Sequence, residues 1–372
     1  MNKYSFILFL IMVSAIYYGM NYYVYHRIAT GLALSPQARH LLAALFITGG
    51  LLFFAGEMVS RQHLSLTARI IYMTGATWLG VIALGITVFA LRDLVTLIIR
   101  GKAFMYWSTL CAVALLACSS IYALYNGARP PLVKEVRVPL ANLPAELEGF
   151  SIVHLSDIHI HLLTSPFWLD QMVETANALQ PDLTVVTGDL IDANLCRLDS
   201  FCRILGKLRS PNGVYVITGN HEYYSGLGIF MKIAEESGMI PLRNRKVMIG
   251  SSLELAGIDD REIASPRPAL REVFGDSEAA PGTVRVLLAH RPDVFADAVR
   301  SGVSLQLSGH THAGQLPPLT FLVRIPFKYY FGLHKLGSSY IYTTSGTGTW
   351  GPPMRLFTRS EIVKLILTKE HS

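Results

Sequence analysis

Charge is scarce in this chain. Of 372 residues only 16% are Asp, Glu, Lys or Arg, against about 25% in soluble domains. An ordinary water-facing surface therefore cannot clothe the whole molecule. Cysteine is scarce as well: Cys111, Cys118, Cys196 and Cys202 stand alone, with no Cys-x-x-Cys pair. That excludes a disulfide scaffold and a thiolate zinc site. Also missing is any basic run interleaved with aromatics, so the net charge of +6 does not point to a nucleic-acid partner. Basic residues flanking membrane spans account for it better.

What charge there is falls unevenly. Four stretches, 4–25, 40–56, 70–91 and 103–128, hold no Asp, Glu, Lys or Arg. A helix crosses a hydrocarbon core with about 20 apolar residues. Three stretches meet that length, and the second does so if it runs through Glu57 to Ser60. The expected spans are 4–25, 40–60, 70–91 and 103–126, within an all-α membrane region 1–128. A cleavable leader could explain only the first. Tyr17, Tyr18, Tyr22, Tyr23 and Tyr25 crowd one end of the first span, as an interfacial belt does. Gly75, Gly80 and Gly85 suit close helix packing.

With four spans the N-terminus and the rest of the chain share one side. Near the span ends that side carries Lys3, Arg61, Arg69, Arg129, Lys134 and Arg137, and the other carries Arg27, Arg39, Arg92, Arg100 and Lys102. Six against five leans only slightly towards a cytoplasmic C-terminal domain. A linker, 129–148, follows. Pro130 and Pro131 stop the last helix, and 133–138 alternates like an edge strand.

From residue 149 the pattern becomes αβ-like. Apolar runs of strand length recur at 151–155, 183–187, 214–218, 253–257, 284–289 and 305–308. Helical stretches at 165–179, 198–208 and 292–301 lie between some of them. Most strands are followed at once by polar residues: Asp157-Ile158-His159, Gly188-Asp189, Gly219-Asn220-His221-Glu222, His290 and Gly309-His310-Thr311-His312. Ligands in open α/β sheets bind beyond the carboxyl ends of strands. Asp157 and His159 alternate onto one side, and the asparagine offers a neutral oxygen. Mixed carboxylate, amide and imidazole donors suit Mn, Fe, Zn, Co or Ni rather than Mg or Ca. Singly, each piece has an ordinary explanation: a turn for Gly-Asn-His, a packed histidine for His290. The signal is the ordered set.

That set, DxH, GD, GNHE, H and GHTH, resembles the calcineurin-like metallophosphoesterase superfamily over about residues 149–367. The resemblance implies a four-layer α/β/β/α sandwich for 149–372 and two divalent ions, Mn, Fe or Zn foremost. Asp157, His159 and His312 would hold the first ion. Asn220, His290 and His310 would hold the second, and Asp189 would bridge. It implies in-line hydrolysis by a metal-activated hydroxide, with His221 a catalytic group and not a ligand. His154 reads as packed in its strand. His161 and Glu222 read either as groups that orient ligands or as exposed neighbours, and Arg291 as a possible phosphate contact.

For substrate, the stretch 316–332 is apolar and aromatic and follows the GHTH block directly. It fits a buried insertion, or a lip at the lipid interface in which Arg324 and Lys328 meet anionic head groups. The block at 345–355, with Glu361 and Ile362, looks like the membrane-associated, bacterial-type branch of the superfamily. The expected substrate is a lipid-linked phosphodiester or pyrophosphate. The alternatives are an anchored phosphatase or phosphodiesterase for a small soluble substrate, and a non-catalytic membrane scaffold that keeps its metal site.

Overall fold

The structure is a computed structural model and describes residues 3–60, 65–192, 198–260, 270–275, 280 and 282–370. Arg61 and Cys196, used in the sequence reading, fall outside the described residues. The chain divides into two compact units. One holds residues 1–128 with 316–319 and 351–357, and the other holds the remainder.

The first unit is helical: α1 (Lys3–Gly31), α2 (Pro36–Ser60), α3 (Leu66–Ile98) and α4 (Lys102–Ala128). Each helix outruns its charge-free stretch at one or both ends. Once nucleated, a helix propagates through flanking polar residues that can face water. At 33 residues, α3 is about 50 Å long, against about 30 Å of hydrocarbon. By length and composition α2, α3 and α4 can each cross a membrane. Small residues bring the helices close. A Cβ on Gly75 would lie 2.4 Å from the Leu52 carbonyl oxygen of α2. Polar groups bridge helices: Trp78 Nε1 donates to Asn21 Oδ1 at 2.8 Å. Asp93 takes the Tyr23 hydroxyl at 2.6 Å, Arg27 Nε at 2.7 Å and Arg92 Nη1 at 3.0 Å. Two stretches distant in sequence complete this unit's core. Leu316 and Met354 pack with Val24, Ile82 and Ala123, and Arg355 N donates to the Ala123 carbonyl at 2.9 Å.

The second unit carries two six-stranded mixed sheets. In chain order its elements are β1 (Leu132–Leu140), β2 (Ser151–Leu155), α5 (Pro166–Ala178), β3 (Leu183–Thr187), α6 (Leu198–Leu205), β4 (Val214–Ile217), α7 (Asn220–Ser225), α8 (Leu227–Glu236), β5 (Ile240–Pro241), β6 (Arg245–Ile249) and β7 (Leu253–Gly257). Then come α9 (Leu270–Phe274), β8 (Val284–Leu288), α10 (Phe295–Arg300), β9 (Leu305–Ser308), α11 (Leu319–Leu322), β10 (Gly332–Leu336), β11 (Ser339–Thr343) and β12 (Glu361–Lys369). The first sheet runs β1-β12-β2-β3-β4-β5, and the second β10-β11-β9-β8-β7-β6.

The central strands are apolar throughout because both faces are covered. In β2, Ile152 turns into a core shared with residues of the second sheet, such as Leu255, Val286 and Leu307. Its neighbour Val153 turns the other way, into a cluster with α5, α6 and α8. A third cluster joins the second sheet to α9 and α10 through Leu287, Phe274 and Phe295. The result is an α/β sandwich built on two mixed sheets.

Strand direction places the site. β2, β3 and β4 are mutually parallel, and so are β8 and β9. Each set therefore opens its carboxyl-end loops at one edge, and those loops carry the polar blocks.

Candidate metal centre

Backbone geometry sets up the site first. Asp157, His159, Asp189, His310 and His312 all have positive φ, between 48° and 69°. Non-glycine residues adopt this region rarely, and such strain gathers at functional sites. The loops tie to one another: Asp157 N donates to the Gly188 carbonyl and His159 N to the Asp189 carbonyl, each at 3.0 Å. Two glycines allow the approach. A Cβ on Gly219 would sit 2.2 Å from Asp189 Oδ1, and one on Gly309 would sit 2.1 Å from Asp157 Oδ2.

The side chains converge in overlapping groups. Asp157, His159 and His312 form one, Asp189, His290 and His310 another, and His159, Asp189 and His221 a third; within each, the ligand atoms lie within 4.8 Å of one another. His159 Nε2 and His312 Nε2 are 3.0 Å apart, and His310 Nδ1 is 3.2 Å from His290 Nε2. Asp189 Oδ2 lies 3.2 Å from His290 Nε2 and 3.8 Å from His159 Nε2, between the first two groups. Asn220 begins α7, and its Oδ1 is buried with no hydrogen-bond partner. Leaving such an acceptor unsatisfied costs about 1–3 kcal/mol, so an electrophile belongs there. Opposed imidazole nitrogens, two carboxylates and an orphaned amide oxygen fit divalent cations.

The electrostatics agree. Burial works to lower the His159 and His290 imidazoles, but the surrounding carboxylates, Asp192 and Asp189 foremost, outweigh it and raise them to about 9 and about 10. Burial pushes the Asp189 carboxyl up, yet His290, His221 and His159 hold it well below the ordinary range. His310 is lowered, by burial and then by His290. The cluster thus demands positive charge at its centre.

Residues that the sequence reading passed over orient these groups. Asp192 takes His159 Nδ1 at 2.5 Å and His221 Nδ1 at 2.8 Å. That places both Nδ1 protons on the carboxylate and turns both Nε2 atoms towards Asp189. Its sequence signal is a second carboxylate three residues after Asp189. Asp260, following β7, holds the Arg291 Nε at 3.0 Å. Glu222 is fully buried, not an exposed neighbour. Its carboxylate accepts from the backbone N–H groups of Asp189, Leu190, Ile191 and Gly219 at 2.6–3.2 Å. Burial and Asp189 push its pKa up to about 7. His154 is packed in β2 with Nε2 2.7 Å from Thr187 Oγ1. His161 Nδ1 accepts locally from Leu163 N at 3.0 Å.

The profile of the family described as calcineurin-like phosphoesterase matches residues 150–314, from β2 through the last histidine block. An uncharacterized metallophosphoesterase of Aquifex aeolicus is 32% identical over 238 residues, covering 62% of this chain and 89% of that protein. The chain belongs to the calcineurin-like metallophosphoesterases.

This metallophosphoesterase also resembles a "transmembrane protein with metallophosphoesterase domain" from Danio rerio. The two are 37% identical over 275 residues, 70% of this chain and 62% of the fish protein. The chain thus spans about three fifths of that relative. A Bacillus subtilis metallophosphoesterase, also uncharacterized, is 30% identical over 258 residues, 66% of this chain and 88% of its own length. The His/Asp groups of this chain are consistent with the dinuclear metal site of that family.

Proposed function

We propose that the protein is a membrane-anchored dinuclear-metal hydrolase of lipid-linked phosphodiesters or pyrophosphates. The observation that carries the reaction class is the pair of neighbouring groups, Asp157 with His159 and His312, and Asp189 with His290 and His310. One ion belongs with Asp157, His159 and His312, the other with Asn220, His290 and His310. When bound, the ions supply an acidified water and neutralise charge on the phosphoryl oxygens. Asp189 spaces the two groups. Asp192 holds the His221 ring with Nε2 towards the centre, where it can pass a proton to the departing oxygen. Glu222 fixes the loops that carry Asp189 and Asn220.

The substrate class rests on the membrane setting. Three helices have the length and apolarity of spans, and α1 reads as a fourth. The division into a membrane region 1–128, a linker with edge strand 129–148 and a catalytic domain 149–372 follows from this reading. The three apolar clusters support a four-layer α/β/β/α order for that domain. Beyond the last ligands, Phe321, Leu322 and Ile325 expose 55%, 47% and 80% of their surface. A soluble enzyme gains nothing from such a lip, whereas a lipid surface would cover it.

The test is turnover of lipid and soluble phosphodiesters by full-length protein with Mn, Zn, Fe or Mg. The expected result is metal-dependent hydrolysis favouring lipid esters. Metal should be lost in Asp189→Asn and kept in His221→Ala. Equal turnover of soluble esters, unaffected by Phe321→Ser with Ile325→Ser, would replace the lipid reading with the anchored soluble-substrate one. No hydrolysis with any metal would leave the scaffold reading.

A further inference from the structure

Two aromatic side chains crowd His221. Tyr224 follows it on α7, with ring centres 5.4 Å apart and planes at 73°. Trp350 lies at 6.1 Å and 74°. They remain 61% and 48% exposed, although each such ring can bury about 150–250 Å² of surface. A third ring, Phe327, meets His310 edge-on at 5.4 Å and 77°.

Their placement is fixed by the same loops that carry the ligands. Gln315 Nε2 donates to the Trp350 carbonyl at 2.9 Å, and Trp350 N donates back to Gln315 Oε1 at 3.0 Å. Gln315 stands three residues after His312, so this reciprocal pair locks the Trp350 backbone to the last ligand block. Tyr224 shares its short helix with Asn220 and His221. The ion pairs of His221 among the described residues are with Asp189 and Asp192. Among the described residues, the ring surface of Tyr224 and Trp350 borders the side of the site where His221 stands.

We propose that Tyr224 and Trp350 form the subsite for the departing alcohol and select phosphoesters whose leaving group carries an apolar body. This rests on the hydrolase reading, with His221 serving the leaving oxygen. In the reaction, water's oxygen forms a new bond to phosphorus and the ester P–O bond breaks. One of water's protons ends on the departing alcohol. The rings touch only the organic part of that alcohol. Phe327 borders His310 instead.

The experiment uses full-length protein in nanodiscs with Mn and three phosphodiesters differing only in the leaving alcohol: methyl, decyl and benzyl. Methanol and decanol have similar acidity, so their ratio reports contact and not chemistry. The wild type should prefer the apolar esters in kcat/KM. Trp350→Ala and Tyr224→Ala should each lower the decyl-to-methyl ratio about tenfold, the scale of a lost apolar pocket contact. Trp350→Phe should keep most of it. A benzyl preference would identify an aromatic occupant, and a decyl preference an acyl chain; either supports the subsite. Equal loss on methyl and decyl esters would overturn it, because the rings would then only brace His221. If the wild type cleaves none of the three with any metal, the hydrolase reading falls and the subsite falls with it.

Discussion

Asp192 Oδ1 receives the Nδ1 proton of His221 at 2.8 Å, and the same oxygen lies 2.5 Å from His159 Nδ1. One carboxylate therefore sets the tautomer of a metal-ligand candidate and of the catalytic candidate together. Asp192→Asn preserves shape but offers only one acceptor oxygen and adds a donor. It should cut kcat about 10- to 100-fold, the usual effect of a group that orients ligands, and lower metal content. Unchanged kcat at full metal loading would show that the two rings hold their own orientation.

Glu222→Gln should destabilise the domain without changing a ligand side chain. Oε2 takes the N–H groups of Asp189 and Gly219, and Oε1 those of Leu190 and Ile191. An amide nitrogen at either place faces two buried donors. Each donor left unpaired costs about 1–3 kcal/mol, so thermal unfolding should shift down by several degrees. The measurement is a melting curve of metal-free protein, which separates folding from ion binding.

Gly309→Ala tests the close approach at the last ligand block. Its Cβ would fall 2.0 Å from Ser156 Oγ and 2.1 Å from Asp157 Oδ2. His310 N also donates to Asp157 at 3.0 Å. Displacing that carboxylate should weaken metal binding at the Asp157 group by at least tenfold, on the scale of ligand-positioning changes. Titration by calorimetry against wild type reads the result. Far-UV dichroism should stay unchanged, which would distinguish a local shift from unfolding.

His154 gives a pH signature. Burial lowers its pKa from 6.5 to about 3, so between those values the unfolded chain binds a proton that the native chain refuses. The stability from this group is complete above about pH 6.5 and declines as pH falls towards 3. The slope reaches at most about 1.4 kcal/mol per pH unit. His154→Gln should therefore lose less stability than wild type between pH 7 and pH 5, read from denaturation midpoints at both values. Parallel pH slopes in the two proteins would rule out His154 as a source of acid sensitivity.

Asp93→Asn addresses the helical unit. Asp93 answers Arg27 and Arg92 together, and the side chain of Arg92 is only 5% exposed. Removing the carboxylate leaves a buried cation unpaired, at a cost of about 3–5 kcal/mol. Detergent-solubilised full-length protein should melt earlier, and the double variant Asp93→Asn with Arg92→Leu should recover part of the loss.

Much of this protein is written locally. The absence of charge over four long stretches announces helices, because period and apolarity act within one segment. The blocks from Asp157 to His312 stand out because each polar group follows a strand-length apolar run, and the chain's own order reveals them. The roles of Asp192 and Glu222 were not legible in that way. An aspartate three residues past Asp189 looks like any turn residue until His159 and His221, from two other loops, are seen to share it. Glu222 reads equally as a group that orients ligands or as an exposed neighbour, and the four backbone donors around it decide for burial.

The sequence by itself determined the helical segments, the apolar strands and the chemistry of the donors, since these depend on residue type and short-range spacing. Only the tertiary structure decided which distant groups meet. Strand β1 pairs with β12, Leu132 against Glu361, and stretches 316–319 and 351–357 join the helical unit instead of the sandwich. Trp350 reaches His221 through Gln315. Such partners lie far apart along the chain, and sheet order, close packing and the need to satisfy buried polar groups select them.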